Sequence, residues 1–140
     1  MDAGELFTSQ LDDAEYQLRQ VFSGLPDGAW DEHLVPGTMS PRETAAHLAE
    51  AYVAGVKHFR GEEHDWGTYQ PASTEPTQIL DEMFQERDKL KAAALAAEDH
   101  TGLKTAIAYS ASHDYYHIGQ MCSLRLKVEP NWNPYSIYKS

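Results

Sequence analysis

An apolar stripe with helical spacing runs through the first 25 residues and most constrains what this chain can fold into. Its members follow one another at intervals of four, three, four, three and four residues: Phe7, Leu11, Ala14, Leu18, Val21 and Leu25. This spacing places apolar side chains along one face of an α-helix, whereas a strand requires alternation of period two. Gly24, Pro26 and Gly28 then end the helix. An apolar face of this length has to be buried against other elements.

Three more helices are predicted from the rest of the chain. The segment Ser40-Pro41-Arg42-Glu43 has the pattern of a capping box with proline in the first turn, and the helix it starts ends near Gly61. A third helix begins near Pro76, and a fourth runs from about Leu103 to Val128, after a break at residues 99–102. Four such helices predict an all-α four-helix bundle, with residues 1–140 in one domain and an extended C-terminal tail, about 129–140, packed by its aromatic side chains.

Charge and cysteine content narrow the class of partner and the compartment. The net charge of −11 opposes binding to phosphate backbones and to anionic membrane surfaces, so we expect neither a nucleic-acid nor a membrane partner. Cys122 is the only cysteine, which excludes an intrachain disulfide and fits a reducing compartment. The first residues contain no basic segment followed by an apolar run, so we expect a cytoplasmic protein.

Two histidines in the fourth helix are the strongest indication of chemistry. His113 and His117 are separated by four residues, lie on the same helical face and fall inside the apolar stripe of that helix. Burying two imidazoles without partners costs a few kcal/mol, whereas a divalent metal can bind both. Cys122 falls on the opposite side of the helix, so we do not expect it to bind the same ion. From spacing alone, a metal-binding pair and an ordinary pair of core histidines remain equal alternatives.

A third ligand is less clear from the spacing. His47 in the second helix lies at the border between its apolar and polar faces, which suits either a ligand at the rim of a pocket or a half-exposed histidine. His58 lies three turns further on almost the same face and is the strongest competitor, and three other histidines also compete: His33, His64 and His100. Within the third helix, Arg87 falls inside the apolar stripe, and we expect it to extend its guanidinium to solvent at the edge of that stripe.

Two helical motifs resemble those of the DinB/YfiT-like family. One is Thr44-Ala45-Ala46-His47-Leu48, and the other is the segment 112–120, SHDYYHIGQ, followed by Leu124-Arg125. The second has the family's signature of a histidine, three residues, a second histidine and then Gly-Gln. The resemblance covers essentially the whole chain in helix number, length and order. It implies an up-down-down-up bundle, often a homodimer, in which His47, His113 and His117 bind a divalent metal, zinc or nickel.

The same resemblance implies a class of activity. Members with known activity are similar in using the metal to activate a thiol or water, and they include thiol-dependent S-transferases, a maleylpyruvate isomerase and hydrolases. It therefore implies a metal-dependent enzyme acting on a small-molecule substrate, with a low-molecular-weight thiol as a potential cofactor. Side chains near the ligands are expected at the pocket or behind the imidazoles: Gln120, Tyr109, Tyr116 and Asp114. The alternatives are a non-catalytic metal-binding or stress-associated interaction protein, and a metal-free bundle with hydrogen-bonded core histidines.

Overall fold

Helices form the regular structure of the protein in the computed structural model, which describes residues 1–97 and 99–139. Within these ranges there is no strand, so the all-α prediction is confirmed. No helix among them is both long enough and apolar enough to cross a membrane. Short 3₁₀ turns lie at Asp27–Asp31 and Pro134–Ile137, and the α-helices are α1 (Ala3–Phe22), α2 (Pro41–Phe59), α3 (Pro76–Ala96), α4 (His100–Tyr109) and α5 (Ala111–Val128).

Side-chain caps determine where the helices start. The predicted capping box of α2 is confirmed, because the Ser40 side chain accepts a hydrogen bond from the Glu43 amide and the Glu43 carboxylate accepts one from the Ser40 amide. Asp2 and Glu5 form the same arrangement at the start of α1. Asp99 caps α4 by accepting a hydrogen bond from the Gly102 amide at 3.1 Å. The break expected at residues 99–102 was therefore wrong beyond Asp99, since Asp99 begins a helix there.

Contacts of α1 fix the directions of two other helices. Asp12 of α1 binds Lys91 of α3 at 2.9 Å. Arg19, further along α1, places its guanidinium over the ring of Phe84, which comes earlier in α3. Later positions of α1 therefore meet earlier positions of α3. These two helices are antiparallel. Tyr115 of α5 binds Asp13, and Arg125 donates a hydrogen bond to the Val21 carbonyl at 3.0 Å. Later positions of α1 therefore meet later positions of α5, and these two helices run parallel.

Contacts of α2 complete the topology. Arg42 at its start binds the carbonyl of Thr74, which precedes α3, and Gly55 near its end faces Leu90, so α2 and α3 run parallel. The order is therefore up for α1, down for α2 and α3, and up for α4 and α5, as the family resemblance implied. Two consecutive parallel helices need a long connection, which is the crossover formed by residues 60–75.

The core contains the predicted apolar stripes and several buried charged side chains, Arg87 among them. Buried residues from the long helices include Leu11, Leu18, Leu48, Tyr52, Ile79, Met83, Leu90 and Leu124. The expectation that Arg87 reaches solvent was wrong, because this residue is only 1% exposed. Its guanidinium binds the Asp114 carboxylate at 3.1 Å and the Leu11 carbonyl at 2.7 Å. These two acceptors come from distant parts of the chain, and they stabilise the positive charge of Arg87 within the core.

The predicted fourth helix is divided at Ser110. It comprises α4 and α5, and Ser110 has non-helical dihedral angles, φ −123° and ψ −86°. The Ser110 hydroxyl donates to the Asp114 carboxylate at 2.9 Å, one turn into α5. A serine whose side chain bonds locally competes with the helical hydrogen-bonding pattern, so it suits a junction between two helices. The single continuous helix from about Leu103 to Val128 was therefore wrong in its start and in its continuity.

The C-terminal segment is anchored differently from the prediction. It contains the 3₁₀ turn Pro134–Ile137 and is not fully extended, and Ser140 lies outside the described residues. Ile137 is buried, and Trp132 lies 4.9 Å from the guanidinium carbon of Arg125. Tyr135 and Tyr138 are exposed. Packing by Ile137 and Trp132 thus replaces the expected packing by all the aromatic side chains.

Candidate metal centre

Three imidazoles converge between α2 and α5. His113 Nε2 lies 2.9 Å from His47 Nε2 and 3.0 Å from His117 Nε2. The convergence depends on topology, because α2 and α5 run in opposite directions and present His47 opposite the pair that the i, i+4 spacing places on one face of α5. His117 is buried, whereas His47 and His113 are half-buried, so the cluster is open on one side.

The chemistry of these nitrogens fits a cation better than a hydrogen-bonded trio. A neutral imidazole nitrogen carries either one hydrogen or one lone pair, so three adjacent Nε2 atoms cannot all be paired linearly with one another. Two nitrogens that bind one zinc ion at about 2.0–2.1 Å can lie no more than about 4.2 Å apart, and the two measured separations satisfy this limit. If Nε2 of His117 binds a cation, its Nδ1 carries the hydrogen. This Nδ1 is buried and has no hydrogen-bond partner among the described residues.

The surroundings of the cluster keep its imidazoles neutral. Burial, with additional repulsion from the neighbouring histidines, lowers the pKa of His117 to about 4. Burial and His47 lower the pKa of His113 to about 4 as well. Burial also lowers the pKa of His47, although the Glu50 carboxylate opposes this effect. Since a metal binds the unprotonated imidazole, all three residues are in the binding-competent state at neutral pH.

The histidines that competed for the third position lie elsewhere. His58 packs beside Tyr109, with ring centroids 5.9 Å apart, and His33 lies 2.6 Å from the Thr38 carbonyl. His64 binds the Glu50 carboxylate at 3.0 Å. Within the described ranges, His47, His113 and His117 are the group of three potential ligands close enough to hold one metal ion, and neither His100 nor Cys122 belongs to it.

The expected neighbours of the ligands divide into two sets. Tyr116 lies beside the cluster, with its ring centroid 5.0 Å from that of His117, and its hydroxyl accepts a hydrogen bond from the Gln120 amide at 3.2 Å. Gln120 also acts on His117, whose pKa it raises against the larger effect of burial. Tyr109, by contrast, contacts His58 and the backbone near Gly55.

Asp114 lies behind the ligands in a buried polar network. Its side chain is 0% exposed, so the alternative that it faces water is excluded. The carboxylate accepts hydrogen bonds from Tyr52 of α2, from Arg87 of α3 and from Ser110. Because Asp114 follows His113 directly, this network joins the ligand-bearing turn of α5 to α2 and α3. The hydrogen bonds of this carboxylate are made to the side chains of Tyr52, Arg87 and Ser110, and to none of the three histidines.

Glu50 holds the crossover against α2 one turn after His47, a feature that the sequence analysis did not identify. Its Oε2 accepts hydrogen bonds from His64 at 3.0 Å, from the Gly67 amide at 3.0 Å and from the Tyr69 amide at 3.2 Å. Burial raises the pKa of Glu50, but these hydrogen bonds outweigh it and lower the pKa overall. The i, i+3 spacing from His47 could have drawn attention to Glu50, but its partners lie in a loop without periodicity.

The comparisons with known proteins agree with this geometry. No curated protein and no solved structure matches the chain significantly. The family model of the DinB superfamily matches residues 10–121, which include most of α1, all of α2, α3 and α4, the first part of α5 and all three histidines of the cluster. That match extends over most of the sequence. It includes the segment around His47 and the segment 112–120, which carry the two motifs. The chain therefore belongs to the DinB superfamily.

Proposed function

We propose that this protein is a metal-dependent enzyme in which His47, His113 and His117 bind one divalent ion, zinc or nickel. The observation that carries the proposal is the convergence of three Nε2 atoms at 2.9 and 3.0 Å on a half-open side of the bundle. Three protein ligands leave positions for an exchangeable ligand, which is the arrangement of catalytic sites, whereas structural sites are closed by four protein ligands. Family membership and the histidine cluster both support this assignment.

The reaction class that we propose is S-transferase-like or hydrolase-like, on a small-molecule substrate. A bound divalent ion would lower the pKa of a thiol or water and so supply a nucleophile at neutral pH. In this chain, His117 would hold the ion from the buried side. His47 and His113 would hold it at the half-exposed side. A low-molecular-weight thiol would be the cofactor in the transferase case.

We also propose that the protein is a single-domain, cytoplasmic homodimer.

Metal stoichiometry tests the ligand assignment. Purified protein should bind one equivalent of zinc or nickel, and alanine at His47, His113 or His117 should reduce the affinity by at least a hundredfold. His58→Ala is the matched control, because His58 lies on the same helix as His47 and outside the cluster. Full affinity in His47→Ala together with loss in His58→Ala would show that the assignment is wrong.

Turnover separates the enzyme from a non-catalytic metal-binding or interaction protein. We expect that a panel of thiols and electrophiles, and a panel of esters and amides, will contain a substrate that the reloaded protein converts and the chelated protein does not. His117→Ala should abolish that activity while the helical circular dichroism is retained. A metal that binds stoichiometrically, accepts no exogenous ligand and supports no reaction across both panels would favour the non-catalytic alternative.

A further inference from the structure

Two exposed aromatic side chains flank the histidine cluster. Trp66 of the crossover is 51% exposed, and its ring centroid lies 6.4 Å from that of His47. Tyr116 of α5 is 62% exposed, and its ring centroid lies 5.0 Å from that of His117. Exposed large apolar side chains cost little singly, but here one lies beside each of two candidate ligands that come from different helices.

Trp66 is held in this position by the contacts of its loop. Its indole packs edge-on against the His64 imidazole at 5.1 Å, and His64 is bound to the buried Glu50 carboxylate. Lys57 can only donate a hydrogen bond, so Nδ1 of His64, 3.2 Å away, must accept it. Nε2 of His64 then carries the hydrogen and donates it to Glu50. The Gly67 amide, next in the chain after Trp66, binds the same carboxylate oxygen.

The position of Tyr116 is also restrained. Gln120, one turn later on α5, donates a hydrogen bond to its hydroxyl at 3.2 Å. The ring stands nearly perpendicular to that of His117, with an interplanar angle of 82°. Because its hydroxyl is already held, the Tyr116 ring keeps one face available for a ligand. Little rotamer freedom of this side chain is then lost when a ligand binds.

The charge around Trp66 restricts what it can bind. Three exposed acidic residues precede Trp66 within the crossover: Glu62, Glu63 and Asp65. These carboxylates repel an anionic group, whereas an aromatic group without negative charge gains offset or edge-to-face contacts with indole and phenol rings.

We propose that Trp66 and Tyr116 are the specificity-determining walls of the site, and that the ligand of the metal carries a neutral or cationic aromatic group. This inference rests on the proposed function, because it places the aromatic group on a molecule whose thiol or other donor binds the ion. Glu50 is a positioning residue, since its carboxylate holds the crossover that carries Trp66.

Binding of small thiols to cobalt-substituted protein tests the proposal without a turnover assay. The probes are phenylmethanethiol, cyclohexylmethanethiol, 2-mercaptoethanol and 4-carboxyphenylmethanethiol, and the readout is the thiolate-to-cobalt charge-transfer absorption. We expect phenylmethanethiol to bind at least tenfold more tightly than 2-mercaptoethanol and at least threefold more tightly than the other two probes. The cyclohexyl probe separates aromatic contact from apolar burial, and the carboxylate probe reports the repulsion by the acidic residues.

Variants identify the side chains responsible. Trp66→Ala and Tyr116→Ala should each reduce the preference for phenylmethanethiol by at least threefold, with cobalt affinity unchanged, and Trp66→Phe should retain most of it. Glu50→Ala, compared at saturating cobalt, should lose the preference for phenylmethanethiol as Trp66→Ala does, because it releases the crossover. Tyr135→Ala is the matched control, since Tyr135 is an exposed aromatic residue of the C-terminal 3₁₀ turn.

The outcomes separate the two proposals. Failure of the wild-type protein to bind cobalt would overturn the proposed function together with this inference. Cobalt binding with equal affinity for all four thiols, or an aromatic preference that survives in both Trp66→Ala and Tyr116→Ala, would overturn the inference alone. An aromatic preference that both variants reduce and Tyr135→Ala preserves would support it.

Discussion

His113 and His117 show how the surroundings of a single side chain can prepare it for binding. A solvent-exposed imidazole has a pKa of about 6.5 and is partly protonated at mildly acidic pH. Here burial, followed by repulsion between the neighbouring rings, lowers both pKa values to about 4. The imidazoles therefore remain neutral over a range in which exposed histidines become charged. The protonation state of these imidazoles therefore depends on the packing around the rings as well as on the residue type.

The pH dependence of metal binding follows from these shifts. Protons compete with the metal only when the pH approaches the pKa of the free ligand, so affinity should fall at a lower pH than for exposed histidines, with the steepest loss as the pH nears 4, where His113 and His117 become protonated. Competition titrations against a chelator, corrected for the protonation of the chelator, would measure this profile. A decline centred near pH 6.5, the ordinary value, would show that the buried environment does not act on the ligands in solution.

The ion pair of Arg87 and Asp114 should have a large effect on stability. Arg87→Met leaves the buried carboxylate without its cation, so the free energy of unfolding should fall by about 3–5 kcal/mol. Lys89→Met is the control, because Lys89 pairs with Glu86 on the surface of the same helix and should change stability by no more than about 1 kcal/mol. Urea denaturation with both variants measures the difference. Equal effects would indicate that the Arg87 pair is solvated.

At the level of elements, two helical glycines have opposite roles. A Cβ at Gly55 of α2 would lie 2.8 Å from Leu90 Cδ1 and 3.1 Å from Tyr109 Cβ, so this glycine allows α3 and α4 to approach α2 closely. A Cβ at Gly119 of α5 would meet nothing within 4 Å, although the residue lies two positions after His117. The same residue type thus serves packing in one helix and has no steric role in the other.

Alanine at these two positions should change stability in opposite directions. Gly55→Ala should destabilise the protein by about 1–3 kcal/mol through overpacking against Leu90 and Tyr109. Gly119→Ala should stabilise it by about 0.4–1 kcal/mol, because alanine restricts the unfolded chain and favours the helix. Thermal and urea unfolding of the two variants side by side would measure the signs. A stabilising Gly55→Ala would mean that the helices separate at little cost.

The helices that could be predicted from the sequence are those whose signals are local. The stripe beginning at Phe7 and the capping box at Ser40 depend on residues within a few turns, and both are present in the structure. The junction at Ser110 could not be predicted in this way. It is accompanied by a hydrogen bond to Asp114, whose burial depends on Tyr52 and Arg87, and these belong to two other helices.

The candidate site also has some features that local sequence signals predict and others that they do not. The i, i+4 spacing of His113 and His117 predicts a shared face from the geometry of one helix. The position of His47 opposite them depends on the antiparallel order of α2 and α5, so spacing alone left it open and the family resemblance was needed. Glu50 and Trp66 were missed because the crossover that joins them has no periodic pattern.

For the whole molecule, the core and the candidate metal site are largely separate. The apolar core extends through α1, α2, α3 and α5, whereas the histidine cluster lies between α2 and α5 with two of its members half-exposed. The network around Asp114 joins α2, α3 and α5 through hydrogen bonds between protein side chains. A fold held in this way differs from a zinc finger, in which the binding energy of the metal is the folding energy.

Removal of the metal should therefore leave the fold intact and lower its stability. The chelated protein should keep its helical circular dichroism at 25 °C, because the buried stripes and the Arg87–Asp114 pair remain. Adding zinc or nickel at a hundredfold excess over the dissociation constant should stabilise it by about 2.7 kcal/mol, which raises the melting temperature by roughly 5–10 °C. His47→Ala should show no such rise, whereas His58→Ala should show all of it. Loss of helicity on chelation would make the metal a structural component and remove the argument for an exchangeable ligand position, since a structural site has its coordination completed by the protein.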